Sequence, residues 1–364
     1  MLIIIRDKLS EEIIFIVSLI LAFLTSLFVK PSWYVIDFRV ILPLFNLMII
    51  SLAFAKYRLL EYIAMYLMSH AKTKRSIGLI MILTSALLGM LITNDVALLT
   101  IVPITISIAR QAEFNPYKII ALETVAANIG SSLTPFGNPQ NLYLYTFYHI
   151  DTFYFLKTLF PLVLFGIICL VIINLSNSKE ILKISDNKIS IENKKRVLLY
   201  TLLFILVLLS VLRFLDYLVI TLLVVVVILI MDRSLFLKVD YFLLGTFACF
   251  FIFVDNITQL EFVNSFIGAL LDKPITVYEV SVILSQGISN VPTAVLLSGF
   301  TNFYEALLLG VSVGGLGTLV ASLANLISYK YYAKSYPKKI FLVYFGILNF
   351  CLLIILSVFV VFII

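Results

Sequence analysis

Three acidic residues lie in strongly apolar parts of the sequence. Asp95 and Glu123 each interrupt a long apolar run, and Asp255 stands at the end of another. An ionisable group at membrane depth is costly and is therefore a functional candidate by default. Asp95 is a candidate cation ligand or proton carrier, with helix-end stabilisation as the simpler interpretation. Glu123 and Asp255 are candidate members of a proton relay, although Asp255 also suits an interfacial position.

Glycine and proline interrupt the apolar run 116–146. Two prolines and two glycines fall within residues 130–139. A helix forced through them would lose roughly 8 kcal/mol, at about 3 per Pro and 1 per Gly. Irregular backbone at membrane depth is tolerated only where protein or a watery cavity surrounds it. Residues 128–141 are therefore a candidate binding site, in which Asn138-Pro139 starts a new half-helix.

The composition restricts the class of protein. Of 364 residues, 62% are hydrophobic and 13% charged, which indicates a helical membrane protein with one domain in the lipid bilayer. The net charge of +6 is attributed to loops, so no nucleic-acid partner is expected. Three scattered cysteines and two histidines give neither a disulfide framework nor a metal-ligand spacing. Phosphate-loop and metalloprotease motifs are absent, so we expect no enzymatic activity and no cofactor beyond a coupling ion.

Apolar spans predict the membrane elements. Two spans, 76–109 and 276–301, carry polar tips at mid-length and are interpreted as re-entrant hairpins. The predicted fold class is an all-α polytopic membrane protein with about nine full crossings and two hairpins. The remaining spans lie at about 12–29, 38–55, 116–146, 152–175, 197–212, 214–231, 240–256, 303–329 and 340–364.

Positive charge predicts the orientation. With a cytoplasmic N-terminus, all but five of the 26 Lys and Arg residues fall on the cytoplasmic side, as the positive-inside rule requires. This favours a multi-pass protein of the plasma membrane with its C-terminus outside. If 76–109 instead formed two crossings joined outside, the local count of positive charges on each side would be the same. The charges therefore support the orientation, and the hairpins depend on the polar tips. The five exceptions are Lys30, Arg39, Lys157, Arg213 and Lys273.

The order of elements repeats with opposite topology. Residues 1–175 and 214–364 each hold two crossings, an amphipathic stretch, a hairpin, a broken crossing and a final crossing. Residues 176–213 form a cytoplasmic linker and a connecting helix. Segment 127–142 also aligns without gaps on segment 311–326. Inverted repeats with paired broken helices are typical of secondary transporters, in which the site lies where the repeats meet.

The breaks offer ligands of two kinds. Carbonyl groups at the end of a half-helix suit Na⁺, and N–H groups at the start of the next suit an anion. Because the predicted site has no Lys or Arg, polar side chains, helix ends and a co-bound cation would hold a small anionic substrate. A Na⁺ ion is predicted at Asn94, Asp95, Gly130 and Asn138. The candidate substrate- and ion-binding residues are Asn94, Asp95, Asn128, Gly130, Ser131, Thr134, Asn138, Asn141, Ser289, Asn290, Thr293, Gly314, Thr318 and Asn325.

Four segments carry a resemblance to a known family: 93–98, 128–141, 285–293 and 312–326. In them the chain resembles the ion transporter superfamily, which includes arsenite permeases, a class of Na⁺/H⁺ antiporters, and citrate and dicarboxylate symporters. The motifs GNPQN and NDVAL are most similar to small prokaryotic anion permeases of the arsenite-permease branch. Dicarboxylate symporters carry Ser-Asn-Thr at each hairpin tip, whereas Asp95 and Val291 occupy the Thr positions here.

The resemblance implies a scaffold and a transport domain, often in a homodimer, that work by an elevator-like movement. By motif position it assigns Asn94, Gly130 and Asn138 to cation and substrate sites in the first half. Asn290 and Gly314 are assigned likewise in the second half. The favoured function is secondary active transport of a small anion, oxyanion or organic acid coupled to Na⁺ or H⁺. The alternatives are a Na⁺/H⁺ antiporter using Asp95 and Glu123, a passive channel, and an intramembrane enzyme.

Overall fold

The computed structural model describes residues 13–69, 71–182 and 189–364. In these residues it contains 17 α-helices, two short 3₁₀ helices and no β-strand. The predicted all-α class is therefore confirmed for the described part of the chain.

The first eight helices precede the linker. The connection between α1 and α2 contains a 3₁₀ helix, Trp33–Val35. The eight are α1 (Ile13–Ser26), α2 (Phe38–Lys56), α3 (Leu59–Met68), α4 (Lys74–Leu91), α5 (Asn94–Gln111), α6 (Tyr117–Ser131), α7 (Pro139–Phe147) and α8 (Thr152–Asn174).

Nine helices follow the linker. A second 3₁₀ helix, Arg233–Lys238, lies between the second and third of them. The nine are α9 (Lys194–Val211), α10 (Tyr217–Asp232), α11 (Tyr241–Thr258), α12 (Glu261–Leu270), α13 (Pro274–Ile288), α14 (Asn290–Ser298), α15 (Tyr304–Gly314), α16 (Leu323–Ala333) and α17 (Lys338–Val361).

Among the described residues, six helices are long and apolar enough to cross a membrane: α2, α4, α8, α10 with its 3₁₀ extension, α11 and α17. Five of them are predicted full crossings, and α4 is a predicted hairpin arm. At 18 residues, or about 27 Å, α4 is nearly as long as the hydrocarbon core is thick. Four other predicted crossings fall outside the six: the interrupted spans 116–146 and 303–329, each of which forms two shorter helices, and the spans of α1 and α9. In the described residues α1 has only 14 residues, and α9 opens with three basic residues. The finding supports a polytopic membrane protein.

Each of the four spans that carry polar or glycine-rich interruptions forms two helices. α4 and α5 meet at Ile92-Thr93, and α13 and α14 meet at Ser289. The break between α6 and α7 covers residues 132–138, and the break between α15 and α16 covers 315–322. Asn138 caps α7 by accepting the Asn141 N–H at 2.9 Å, and Pro139 is the first residue of that helix. Local chemistry thus ends and restarts these helices where the sequence predicts it.

Glycines let the interrupted helices approach each other closely. A Cβ at Gly130 would lie 2.6 Å from Ala86 Cα, where α6 crosses α4. A Cβ at Gly314 would lie 2.6 Å from Ser285 Oγ, where α15 crosses α13. α16 packs against α5 and α6, and α14 packs against α7. These contacts bury most residues of the four breaks, and Val320 in the last of them stays exposed.

The ends of three other helices meet at one buried carboxylate. Asp232, at the end of α10, pairs with Lys56 at the end of α2 and with Arg196 at the start of α9. Its Oδ2 atom also accepts hydrogen bonds at 2.6 Å from the hydroxyls of Tyr57 and Tyr200. The end of α2, the start of α9 and the end of α10 therefore lie on the same side of the molecule, as alternating crossings require.

Candidate functional site

One amide side chain joins half-helices from both parts of the chain. Asn128, on α6, accepts a hydrogen bond through Oδ1 from Asn94 Nδ2 at 3.0 Å and another from Ser322 Oγ at 3.2 Å. Its Nδ2 atom donates to Asn325 Oδ1 at 2.8 Å. All four side chains are buried. Because Asn94 is the first residue of α5 and Ser322 stands at the N-cap position of α16, two helix N-termini converge on Asn128.

Two hydrogen bonds to the backbone recur at corresponding positions. The N–H of Asn94 donates to the carbonyl of Gly137 at 3.1 Å, and the N–H of Asn290 donates to that of Ala321 at 3.0 Å. Gly137 and Ala321 are matched in the ungapped alignment of 127–142 with 311–326. Each tip is thus attached to its neighbouring break in the same way.

The second pair of matched amides closes the breaks themselves. Asn141 Nδ2 donates to the carbonyls of Ser132 at 2.9 Å and Thr134 at 3.2 Å. Asn325 Nδ2 donates to those of Gly315 at 3.1 Å and Thr318 at 3.0 Å. Asn141 and Asn325 differ in the surroundings of their amide oxygens. Asn128 occupies Asn325 Oδ1, whereas Asn141 Oδ1 is buried without a hydrogen-bond partner among the described residues.

Several predicted site residues of the first half make contacts within their own break or with α4. Asn138 caps α7 through Oδ1, and its Nδ2 donates to Ser131 Oγ at 3.2 Å. Ser131 Oγ in turn donates to the carbonyl of Asn128 at 2.9 Å. Thr134 Oγ1 donates to the carbonyl of Met90 at 2.6 Å. Gly130 provides the close approach to α4. These residues hold the backbone of the break in place.

In the second half, Gln286 binds the end of α15 and the break that follows it, a role that the sequence did not predict. Its Oε1 accepts the Thr318 N–H at 2.9 Å, and its carbonyl accepts Thr318 Oγ1 at 2.9 Å. Its Nε2 donates to the carbonyl of Gly314 at 3.0 Å. The sequence feature that could have identified Gln286 is its polar amide in the apolar run 276–301, three residues before Ser289.

The tip itself is strained. Ser289 has a φ of +74°, a region that non-glycine residues rarely adopt. Thr293 Oγ1 donates to the carbonyl of Ser289 at 2.8 Å, so its hydroxyl serves its own helix. Backbone strain of this kind persists only where the surrounding structure compensates for it, and it is common at functional sites.

The three acidic candidates have different surroundings. Asp95 lies in the first turn of α5, and its Oδ1 is buried without a hydrogen-bond partner among the described residues. Glu123 is fully buried. Its Oε2 accepts Thr105 Oγ1 at 2.8 Å, and its Oε1 likewise has no partner in the described part of the chain. Asp255 instead accepts Gln259 Nε2 at 3.0 Å on its own helix.

Asp95 directly follows Asn94, and its N–H donates to Asn94 Oδ1 at 3.0 Å, whereas the side-chain hydrogen bond of Asp255 is to Gln259 on its own helix. Glu123 lies five residues before Asn128 on α6, about 7.5 Å along the helix axis. Asp255 lines a separate cavity of about 660 Å³, together with Asp37, Arg39 and Tyr143. Within the described residues, no group of three or more His, Cys, Asp or Glu side chains is suited to a metal ion.

Comparison with known proteins identifies the family. The profile of the citrate transporter family CitMHS matches residues 1–302, which is most of the chain. The chain belongs to this family, within the ion transporter superfamily. An uncharacterized transporter of Methanocaldococcus jannaschii is 37% identical over 316 residues, covering 86% of each chain. The inner membrane protein YbiR of Escherichia coli is 31% identical over 323 residues, covering 87% of this chain and 86% of YbiR.

Membership of the family makes this protein a membrane transporter of the citrate and arsenite permease type. It also agrees with the motif resemblance found in the sequence, because the match covers the helix junctions at Ile92-Thr93 and Ser289 and the break 132–138. The residues around Asn128 are accordingly the candidate transport site.

Proposed function

We propose that this protein is a secondary active transporter that moves a small anion, oxyanion or organic acid, coupled to Na⁺ or H⁺, by alternating access. The observation that carries the proposal is the convergence on Asn128 of half-helices from both parts of the chain. Discontinuous helices that meet at a buried polar centre provide helix ends for a substrate and an ion without charged side chains.

The architecture that we propose has two inverted repeats, 1–175 and 214–364, joined by 176–213. The matched bonds of Asn94 and Asn290 support it, since corresponding residues of the two parts make corresponding contacts. In this proposal α4–α5 and α13–α14 are re-entrant hairpins, and the interrupted helices move together in an elevator-like manner. The protein lies in the plasma membrane with its N-terminus cytoplasmic and its C-terminus outside, and it forms a homodimer.

For the coupling ion we favour a Na⁺ site at the first tip, formed by Asn94, Asp95, Gly130 and Asn138. The unpartnered Oδ1 of Asp95 is a hard oxygen ligand of the type that Na⁺ prefers. Asn138 Oδ1 already caps α7, and its second lone pair stays available to a cation. The two halves are unequal, because the second tip has Val291 where the first has Asp95. This asymmetry favours one principal ion site.

For the substrate, the described residues that hydrogen-bond the Asn128 side chain are two neutral amides and a serine. Such a site favours a small anion bound by helix N-termini and accompanied by the coupling cation. The substrate and ion candidates beside this centre in the second half are Ser289, Asn290, Thr293, Gly314, Thr318 and Asn325.

A separate observation favours a second candidate function. Asp95 Oδ1 and Glu123 Oε1 both lack hydrogen-bond partners in the described part of the chain. Two intramembrane carboxyl groups, each with one oxygen free to accept a proton or a cation, suit a Na⁺/H⁺ antiporter, in which Asp95 exchanges Na⁺ for protons and Glu123 relays them. The antiporter requires the charge of Asp95 to change in every cycle, whereas a symporter can use it as a fixed ligand.

Ligand-dependent thermal unfolding of the purified protein tests the proposal. We expect Na⁺ to raise the unfolding temperature together with one of citrate, succinate, sulfate, phosphate or arsenite, because a ligand that binds only the folded state stabilises it. Asp95→Asn should weaken the effect of Na⁺. Stabilisation by Na⁺ or acid alone, with no response to any anion, would favour the antiporter.

A further inference from the structure

An arginine from another part of the chain holds the C-terminal end of α7. Arg213 lies in the connector 212–216 between α9 and α10. Its Nη2 donates to the carbonyl of Tyr145 at 2.6 Å, and its Nη1 donates to that of Ile150 at 3.2 Å. The guanidinium carbon also lies 4.4 Å from the centre of the Tyr145 ring. A cation at a helix C-terminus and over an aromatic ring is favourable on both counts.

The backbone of Arg213 is unusual for such a large residue. It has a φ of +66°, and it follows the C-terminal cap of α9. Glycine commonly occupies this left-handed position, since it has no Cβ to clash. A bulky residue is retained there where other contacts compensate for the strain. In this structure the bonds of the guanidinium to the end of α7 are such contacts.

A cavity lies beside Arg213, between the end of α7 and the α9–α10 connector. It has a volume of about 400 Å³, and α2, the end of α7 and the connector line it through Arg39, Pro43, Thr146, His149 and Arg213. The arginine therefore spans a gap between two groups of helices. The contact is of the kind that can open without disrupting a packed core.

We infer that Arg213 is a latch that holds α7 against the α9–α10 connector in the observed conformation and releases it during transport. α7 begins at Pro139, directly after the site residue Asn138, and it is nine residues long. Movement of the site relative to α9 and α10 must therefore carry the Tyr145 carbonyl away from Arg213. The inference rests on the proposed alternating-access function and adds the residue that sets the balance between its states.

The test uses a variant that removes the side chain without straining the fold. Arg213→Gly deletes both hydrogen bonds and the ring contact, and it also relieves the left-handed backbone. The matched control is Arg58→Gly. Arg58 has a φ of +61°, and its side chain pairs only locally with Glu61 at 2.8 Å. Both variants replace an arginine in the same backbone conformation, and only one removes the latch.

The measurement is a distance distribution between spin labels in liposomes without added substrate. One label, at Lys157→Cys, is on α8, which packs against the interrupted helices α4 and α6. The other, at Val219→Cys, is on α10, next to the connector that carries Arg213. Cys169, Cys249 and Cys351 are first replaced by alanine. We expect Arg213→Gly to shift the ratio of two distance populations about tenfold from that of the parent, by loss of the helix-end and ring contacts. Arg58→Gly should leave that ratio within about twofold.

Two outcomes would overturn the inference: an unchanged ratio in Arg213→Gly, or one distance in every variant. Anion uptake by the same liposomes separates this inference from the proposed function. A population shift without uptake of any anion would retain the latch and reject the transport proposal. Uptake with an unshifted ratio would reject the latch alone.

Discussion

Substitution of Asn128 tests the polar centre most sharply. Asn128→Ala removes three buried hydrogen bonds, of 3.0, 2.8 and 3.2 Å. It also leaves Asn94 Nδ2, Asn325 Oδ1 and Ser322 Oγ without these contacts. At about 1 kcal/mol for each lost bond, with more for each buried group left unsatisfied, we expect a loss of at least about 3 kcal/mol in the free energy of unfolding.

The chain provides a matched control for this substitution. Ser312 aligns with Asn128 in the second half, and its Oγ is buried without a hydrogen-bond partner among the described residues. Ser312→Ala removes no bond seen in the structure, so its effect should stay within about 0.5 kcal/mol. Unfolding by denaturing detergent in mixed micelles measures both variants. Equal destabilisation of the two, or none in Asn128→Ala, would refute the assigned role of Asn128.

Two further substitutions test the packing around the site. Gly130→Ala places a methyl group 2.6 Å from Ala86 Cα and should cost about 1–3 kcal/mol by overpacking. Gly346→Ala, with no neighbouring atom within 4 Å, should be neutral or stabilising by up to about 1 kcal/mol. Equal thermal unfolding of these two variants would contradict the close helix crossing. Asp232→Asn leaves two cations without their carboxylate and should cost about 3 kcal/mol. An unchanged unfolding temperature, like that expected of Asp255→Asn, would argue against that cluster as an anchor.

The positions of the helix breaks follow from local chemistry, which explains why the sequence predicts them. Pro139 and the glycines disfavour helix wherever they stand, and Asn138 is a strong N-cap. The ungapped alignment also predicts that Asn141 and Asn325 have equivalent places, and both amides do close their own breaks. These features depend on neighbours within about ten residues.

The contacts between the two parts of the chain were not predictable in this way. Ser322 and Asn128 are separated by 194 residues, and the sequence around each of them does not indicate that they are in contact. Within the second part, Gln286 was equally unpredictable, because its partner Thr318 is 32 residues away. Such contacts depend on how the helices pack. Of the three acidic residues, only Asp95 stands in a sequence motif that places it at a break, and the surroundings of Glu123 and Asp255 emerge only from the packing.

The central claim is coupled transport of a small anion, and concentrative uptake into proteoliposomes tests it most directly. Radiolabelled citrate, phosphate or arsenite is offered under an imposed Na⁺ or pH gradient, to the parent protein and to Asp95→Asn. The account predicts saturable uptake of one of these substrates above its external concentration, and loss of its dependence on Na⁺ in Asp95→Asn. Exchange of Na⁺ for H⁺ with no anion present would contradict it.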